Sequence, residues 1–280
     1  MGDNSDQRLF WSQEAGQQWV AHDRALSAHF APVLDRLLEH AQIAPKAKVL
    51  DLGCGTGAAS RAAAQAVGPA GQVTGVDISP AMIAAAKQQT DAKQLEFLCA
   101  DAANMAFAPG RFDVVISRFG AMFFDDPQGA FANIAKAMRS GAQLHLACWA
   151  GSEQNPWFTL PARAARAVLG APPKTDPDAP GPFAFRTPER VAGILAAAGL
   201  TQVSSACEEI TITPPGTLGE TAALMADVGP AGGALRYFQA DYAERRAVET
   251  QIAAGLAQHV TGSGQIALPA AVMFYAARKP

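Results

Sequence analysis

Three short runs in this 280-residue chain carry residue types that could do chemistry together. The first is Val49-Leu50-Asp51-Leu52-Gly53-Cys54-Gly55-Thr56-Gly57. Its apolar start reads as a strand buried on both faces, and it delivers the chain into a glycine turn. Glycines there permit positive φ and let a ligand approach the backbone closely. A helix that opens just after such a turn points its free N–H groups and positive dipole end at that ligand, which suits a carboxylate or a phosphate. The second run, Val76-Asp77-Ile78-Ser79, places an acid 77 − 53 = 24 residues past the first glycine. A carboxylate at the tip of a second strand can accept hydrogen bonds from both hydroxyls of a ribose, so the ligand is read as carrying an unphosphorylated ribose. The third run is Asp101-Ala102, where a carboxylate can accept a hydrogen bond from an adenine amino group. Ile78 and Met82 are apolar neighbours able to cover the ring faces.

These runs need elements to position them. Residues 1–45 read as helical, with Trp19-Val20, Ala25-Leu26, Phe30, Val33-Leu34 and Leu37-Leu38 near helical spacing and Pro45 at the end. Strands are expected at 48–52, 72–76, 95–99, 112–117 and 143–148. Helices are expected between them at 58–67, 79–89 (Ser79 as cap, Pro80 at the first position) and 127–138. Strands alternating with helices imply βαβ units and a mostly parallel sheet. Beyond Cys148 the rhythm loosens. A helix over 155–169 precedes 171–182, whose five prolines exclude a regular element. Thr187 reads as the cap of a helix ending at Gly199. A strand follows at 202–213, then two helical pieces over 216–258 separated by Gly229-Pro230. A last strand is expected over 265–277, with an irregularity at Pro269.

Taken in order, Val49–Gly57, Val76–Ser79, Asp101-Ala102 and Phe112–Ser117 resemble the class I S-adenosylmethionine-dependent methyltransferases. They look most like the branch holding the ubiquinone/menaquinone-biosynthesis methyltransferases. The resemblance covers about residues 10–150 and extends more loosely to Gly181-Pro182-Phe183 and Ala198-Gly199-Leu200. It implies an α/β, Rossmann-like, doubly wound seven-stranded sheet whose last strand is antiparallel, with helical lid insertions. It implies S-adenosylmethionine as cofactor, with S-adenosylhomocysteine as product. The methionine moiety would lie over Gly53, Cys54, Gly55 and Gly57, with Asp51 linked to its amino group. Asp77 would hold the ribose, Asp101 and Ala102 would contact the adenine, and Ser117 would face the methyl donor region. A dinucleotide turn normally keeps its third glycine three residues after the second; here Gly57 follows Gly55 by two. NAD is therefore the weaker reading.

The acceptor side is less determined. A sulfonium methyl group is already electrophilic, so alignment and exclusion of water can suffice, and a general base is needed only if the nucleophile must lose a proton. His22 and Arg118 are the weak catalytic candidates; His22 and His29 lie on the helical cover, whereas His40 reads as exposed and His145 as structural. In an open α/β sheet ligands lie at the carboxyl ends of the strands. The fourth strand exits into Arg118-Phe119-Gly120-Ala121-Met122 and the fifth into Trp149, with Trp157 soon after. These residues, with Arg236 and Tyr237 from the later insertion, are candidates to line an acceptor pocket. Asn155-Pro156-Trp157 faintly resembles an amino-methyltransferase motif but follows the wrong strand.

Composition bounds the rest. The chain is 49% hydrophobic and 17% charged, too apolar for disorder. About a fifth of it is alanine, well above ordinary usage. The net charge of −3 and pI near 5.9 disfavour a nucleic-acid partner. No leader-like start or span of 18 apolar residues is visible. Cys54, Cys99, Cys148 and Cys207 are far apart and read as small buried thiols in a reducing cytoplasm, and no metal set is expected. The expected organisation is one domain over 1–280: a helical cover (1–45), a cofactor core (46–150) and lid insertions (151–186 and 215–262). The expected activity is methyl transfer to a small, partly apolar metabolite. A SAM-binding regulatory protein without transfer activity and a tRNA methyltransferase are the alternatives.

Overall fold

A computed structural model describes residues 4–173 and 176–280. Seven strands form one sheet: β1 (Lys48–Leu52), β2 (Gln72–Asp77), β3 (Leu95–Cys99), β4 (Phe112–Arg118), β5 (Met138–Trp149), β6 (Thr201–Ile212) and β7 (Leu268–Arg278). Their order is β3-β2-β1-β4-β5-β7-β6. The pairs from β3 to β5 are parallel, and β7 runs antiparallel to both β5 and β6. From β1 the chain winds outward to β3 and then returns to lay β4 on the other side of β1. That reversal opens a crevice at the carboxyl ends of β1 and β4, where ligands bind in such sheets.

Burial explains why β1 is so apolar. Val49, Leu50 and Leu52 are fully buried, because helices cover both faces of a parallel sheet. The helix after β1, α5 (Ala58–Val67), buries Ala59, Ala63, Ala64 and Val67. Its small side chains let it lie close to the strands, and Gly75 on β2 would bring a Cβ to 2.7 Å from Ser60 Oγ. The expected 1–45 segment is four helices: α1 (Ser5–Ser12), α2 (Glu14–Ala21), α3 (Asp23–His29) and α4 (Ala31–Ala41). Gln42 stops α4 in a left-handed conformation, φ 43°, ahead of Pro45. The remaining helices are α6 (Pro80–Gln88), α7 (Pro127–Ala137), α8 (Pro156–Leu169), α9 (Pro188–Ala197), α10 (Leu218–Asp227), α11 (Gly229–Tyr237) and α12 (Tyr242–Leu256).

Several expectations are corrected. The 216–258 segment is three helices, not two: Gly229-Pro230 opens α11, and a second break precedes α12, where Asp241 and Glu244 form a reciprocal cap. Thr187 stands at the start of α9, but its side chain makes no capping bond. β5 begins at Met138 through a register irregularity opposite β4. Pro269 sits inside β7 rather than breaking it, in a stretch paired with β6 alone, since pairing with β5 reaches only Val272. Cys54 and Cys148 are buried, whereas Cys99 and Cys207 are exposed, because β3 and β6 are the edge strands of the sheet. His40 is half-buried; it hydrogen-bonds Glu208 at 2.8 Å and lies 4.8 Å from the Phe274 ring. Residues 174 and 175 of the proline-rich loop lie outside the described residues. No described helix is long and apolar enough to cross a membrane.

Candidate active site

A cavity of about 650 Å³ opens at the carboxyl ends of β1, β2 and β4, within the roughly 300–1,000 Å³ range of small-molecule sites. Its floor is polar. Gly53, at φ +61°, crosses so close to Gly120 that a Cβ would fall 2.7 Å from the Gly120 Cα. The turn after β1 and the exit of β4 are thus locked together by two residues without side chains. Gly55, at φ +55°, lines the cavity, and a Cβ there would meet only Met82 Sδ, at 3.7 Å. A side chain would therefore stand in the cradle, as expected of a turn shaped for a ligand's close approach.

Asp51 and Asp77 lie on either side of this turn. Asp51 is 1% exposed and accepts a 2.6 Å hydrogen bond from Ser60. Burial pushes its pKa up to about 7, against the opposing pull of the Ser60 bond and the Arg118 charge. Asp77 accepts from the Gly55 and Ser79 backbone N–H groups, both at 2.8 Å. Burial also raises its pKa, while those backbone bonds oppose the rise. Each oxygen keeps lone-pair capacity, and both residues line the cavity. Cys54, Ile78, Met82, Asp101 and Ala102 complete this end. Asp101 is already well supplied with donors: Asn4 Nδ2 at 3.0 Å, Ala103 N–H at 2.9 Å and Asn104 Nδ2 at 2.8 Å.

The other end is aromatic. Phe119 leaves β4 in a left-handed conformation, φ +64°. That strain, worth about 1–3 kcal/mol, turns its ring flat against Trp149, with centroids 4.3 Å apart and planes 2° apart. Phe30 meets Phe119, Trp149 and Trp157 edge-on at 5.5–5.7 Å, and Phe158 meets Trp149 at 5.0 Å. Arg118 lines the cavity among these rings and donates to the Phe30 carbonyl at 3.3 Å. Burial lowers its pKa, and Asp51 and Asp23 oppose that shift. Met122 and Arg236 also line the cavity.

Four residues picked from the sequence do not line it. Gly57, at φ +87°, begins α5, and its missing Cβ makes room for the Phe97 ring, which a Cβ there would approach to 2.5 Å. Ser117 is 1% exposed; it donates to the Leu52 carbonyl at 2.8 Å and accepts from the Ala121 N–H at 3.0 Å, tying β4 to β1. Tyr237 is 59% exposed, edge-on to Phe238. His22 also lies outside the lining; it bonds Asp227 at 2.7 Å, joining the start of α3 to the end of α10.

Within the expected helical cover, sequence reasoning did not single out the residues that tie it to the cavity. Asn4 bridges the rim, donating to Asp101 and accepting from the Asp125 N–H at 2.8 Å. Asp23 accepts from Thr56 Oγ1 and from Gln89 Nε2. Trp11 meets Phe123 edge-on at 5.2 Å. Phe30 had read only as one more apolar position on a helix. Behind it His29 is fully buried between Phe30 and Trp157, with both ring nitrogens unpartnered, and burial lowers its pKa to about 3.

A mostly parallel sheet with a switch point, a glycine cradle and a carboxylate at the tip of β2 is the architecture of a nucleoside-binding α/β protein. Comparison with known proteins identifies its kind. Residues 50–146 match the family described as Methyltransferase domain. The chain is 31% identical over 198 residues to the nocamycin O-methyltransferase of Saccharothrix syringae, covering 66% of this chain and 70% of that one. It is 29% identical over 182 residues to the aklanonic acid methyltransferase of Streptomyces sp. strain C5, covering 64% and 77%. Among solved structures, the [4+2]-cyclase SpnF shares the fold with a TM-score of 0.53 at 17% identity, covering 96% of this chain and 97% of that one. A shared fold thus spans different chemistries, and the sequence relatives settle which applies. The chain belongs to the S-adenosylmethionine-dependent methyltransferases and is an enzyme of that class.

Proposed function

We propose that the aromatic end of the cavity receives a small, flat, largely apolar acceptor and that an oxygen of this acceptor is methylated. The stacked Phe119–Trp149 pair, with Phe30 edge-on to both rings, carries this reading. A flat ring gains most by offset or edge contact with such a wall. The two O-methyl and acid-directed names among the relatives point the same way. Arg118 sits among the rings and can hold an oxygen nucleophile in its anionic form, because its guanidinium stays charged.

The cofactor end is read as follows. Gly53, Cys54 and Gly55 cradle the methionine moiety and Asp51 faces its ammonium. Asp77 takes the ribose hydroxyls, while Ile78, Met82 and Ala102 flank the adenine. Asp101, which already accepts from Asn4, Ala103 and Asn104, keeps a lone pair on the oxygen that Asn104 meets, and that lone pair takes the adenine amino group. When bound, the sulfonium supplies an electrophilic methyl group. The protein's own work is to align the acceptor, exclude water and hold charge. The chain is proposed to act as one domain, with 1–45 as cover, 46–150 as core and 151–186 and 215–262 as lid. The motif run Val49–Gly57 supports placing it near the quinone-biosynthesis branch. Four unpaired thiols, two of them exposed, support a reducing, cytoplasmic setting.

Asp77→Ala tests the cofactor assignment. Losing two hydrogen bonds to a carboxylate should weaken S-adenosylhomocysteine binding about a hundredfold, read by calorimetry on protein shown to be folded. An unchanged affinity refutes it.

A further inference from the structure

Helix α1 turns a polar and aromatic face to the cavity. Asn4, Gln7 and Trp11 stand at the i, i+3 and i+7 spacing of one helical face, and all three line the cavity. No residue of α1 is buried, so this face is not packed on a core. It is pinned at both ends instead. Asn4 donates to Asp101 at 3.0 Å and accepts from the Asp125 N–H, and Trp11 meets Phe123 edge-on at 5.2 Å. Gln7 lies between these two ties, one helical turn beyond Asn4, and so stands beside the Asp101 end of the cavity. Its Oε1 is shielded from water and has no hydrogen-bond partner. Buried side-chain oxygens are paired in the large majority of cases, and desolvating one without a partner costs stability. The last torsion of a glutamine side chain is broad, so its amide can turn toward a ligand at this end.

We infer that Gln7 reads the adenine of the cofactor, its amide meeting the amino group and the adjacent ring nitrogen N7. The inference rests on the proposed seating of the adenosine against Asp77 and Asp101, and it adds a recognising side chain from the helical cover. The chemistry is specific. The adenine amino group offers two hydrogens, one on the N1 side and one on the N7 side. An ionised carboxylate only accepts, so Asp101 takes one hydrogen and has nothing to give a ring nitrogen. An amide carries an acceptor and a donor side by side, and a glutamine can meet N6 and N7 of adenine together. That division leaves the N1-side hydrogen to Asp101. Gln7 is thus a specificity-determining residue for the base.

Two nucleosides test this by calorimetry: S-adenosylhomocysteine and S-tubercidinylhomocysteine, its 7-deaza analogue, in which a C–H replaces N7. Wild type should bind the 7-deaza compound about tenfold more weakly. Gln7→Leu should weaken S-adenosylhomocysteine by at least about tenfold and bring the two compounds within about threefold of each other. Retained binding of the 7-deaza compound shows that the variant is folded. A wild type that binds both compounds equally, or a variant that keeps the full gap between them, overturns the role of Gln7 and leaves the cofactor site standing. A wild type that binds neither compound overturns the cofactor reading itself.

Discussion

Asp51 shows how one buried side chain sets a pH response. Its folded pKa, about 7, lies above the ordinary 3.8, and burial is the main cause. Between roughly pH 4 and pH 7 the folded chain therefore binds more protons at this site than the unfolded chain, so its contribution to stability falls as pH rises through that window. Asp51→Asn should flatten that slope in urea denaturation and raise the stability of the ligand-free protein at pH 8. The same titration should govern cofactor binding. An ammonium facing Asp51 favours the ionised carboxylate, so S-adenosylhomocysteine should bind more tightly at pH 8 than at pH 6. The variant should lose that dependence in calorimetry. The place of Asp51 and Asp77 in the cavity lining was legible in the sequence because both stand near the ends of strands that meet at a glycine turn. Ser117 was misread because its partners, Leu52 O and Ala121 N–H, come from β1 and the following turn, and no spacing rule announces them.

At the scale of elements, three glycines in one turn do different work. Gly53 lets β1's exit cross Gly120, Gly55 leaves room for a ligand, and Gly57 makes room for Phe97 at the start of α5. All three have positive φ, so alanine at each strains the backbone by about 1–3 kcal/mol. The binding consequences should diverge. Gly55→Ala puts a methyl group into the cradle and should weaken S-adenosylhomocysteine by at least about tenfold. Gly57→Ala should lower the denaturation midpoint while leaving affinity within about threefold. Equal binding losses in the two variants would show that the cradle acts as one unit. From β1 to α7 the strands and helices were read to within a residue because burial on both faces and alanine-rich helices leave a plain pattern, whereas β5 begins at Met138, ahead of the expected 143. The break between α11 and α12 was not, because Gln239-Ala240-Asp241 carries no glycine or proline and its cap depends on Glu244.

For the whole molecule, the cavity exists because distant parts of the chain converge on one switch point. Asn4 reaches Asp101 and Asp125, Asp23 reaches Thr56 and Gln89, and His22 reaches Asp227. These polar ties join the helical cover to the core and to the lid. Apart from the buried Asn4–Asp101 bond these ties are part-buried or exposed, and such contacts individually contribute little, so the cover should open more readily than the sheet. Hydrogen exchange should accordingly be faster over residues 5–29 than in β1 and β4, and bound S-adenosylhomocysteine should slow it there selectively. Exchange in the cover that ignores the ligand would separate it from the site. By itself the sequence determined the alternating α/β order, the glycine turn and the carboxylates at strand ends, because these are written in local periodicity and short spacings. Only the tertiary structure decided what roofs the site, that Phe30 completes an aromatic wall, that Tyr237 points away and that Arg236 lines the cavity. Those facts depend on contacts between residues far apart in the chain, which periodicity does not encode.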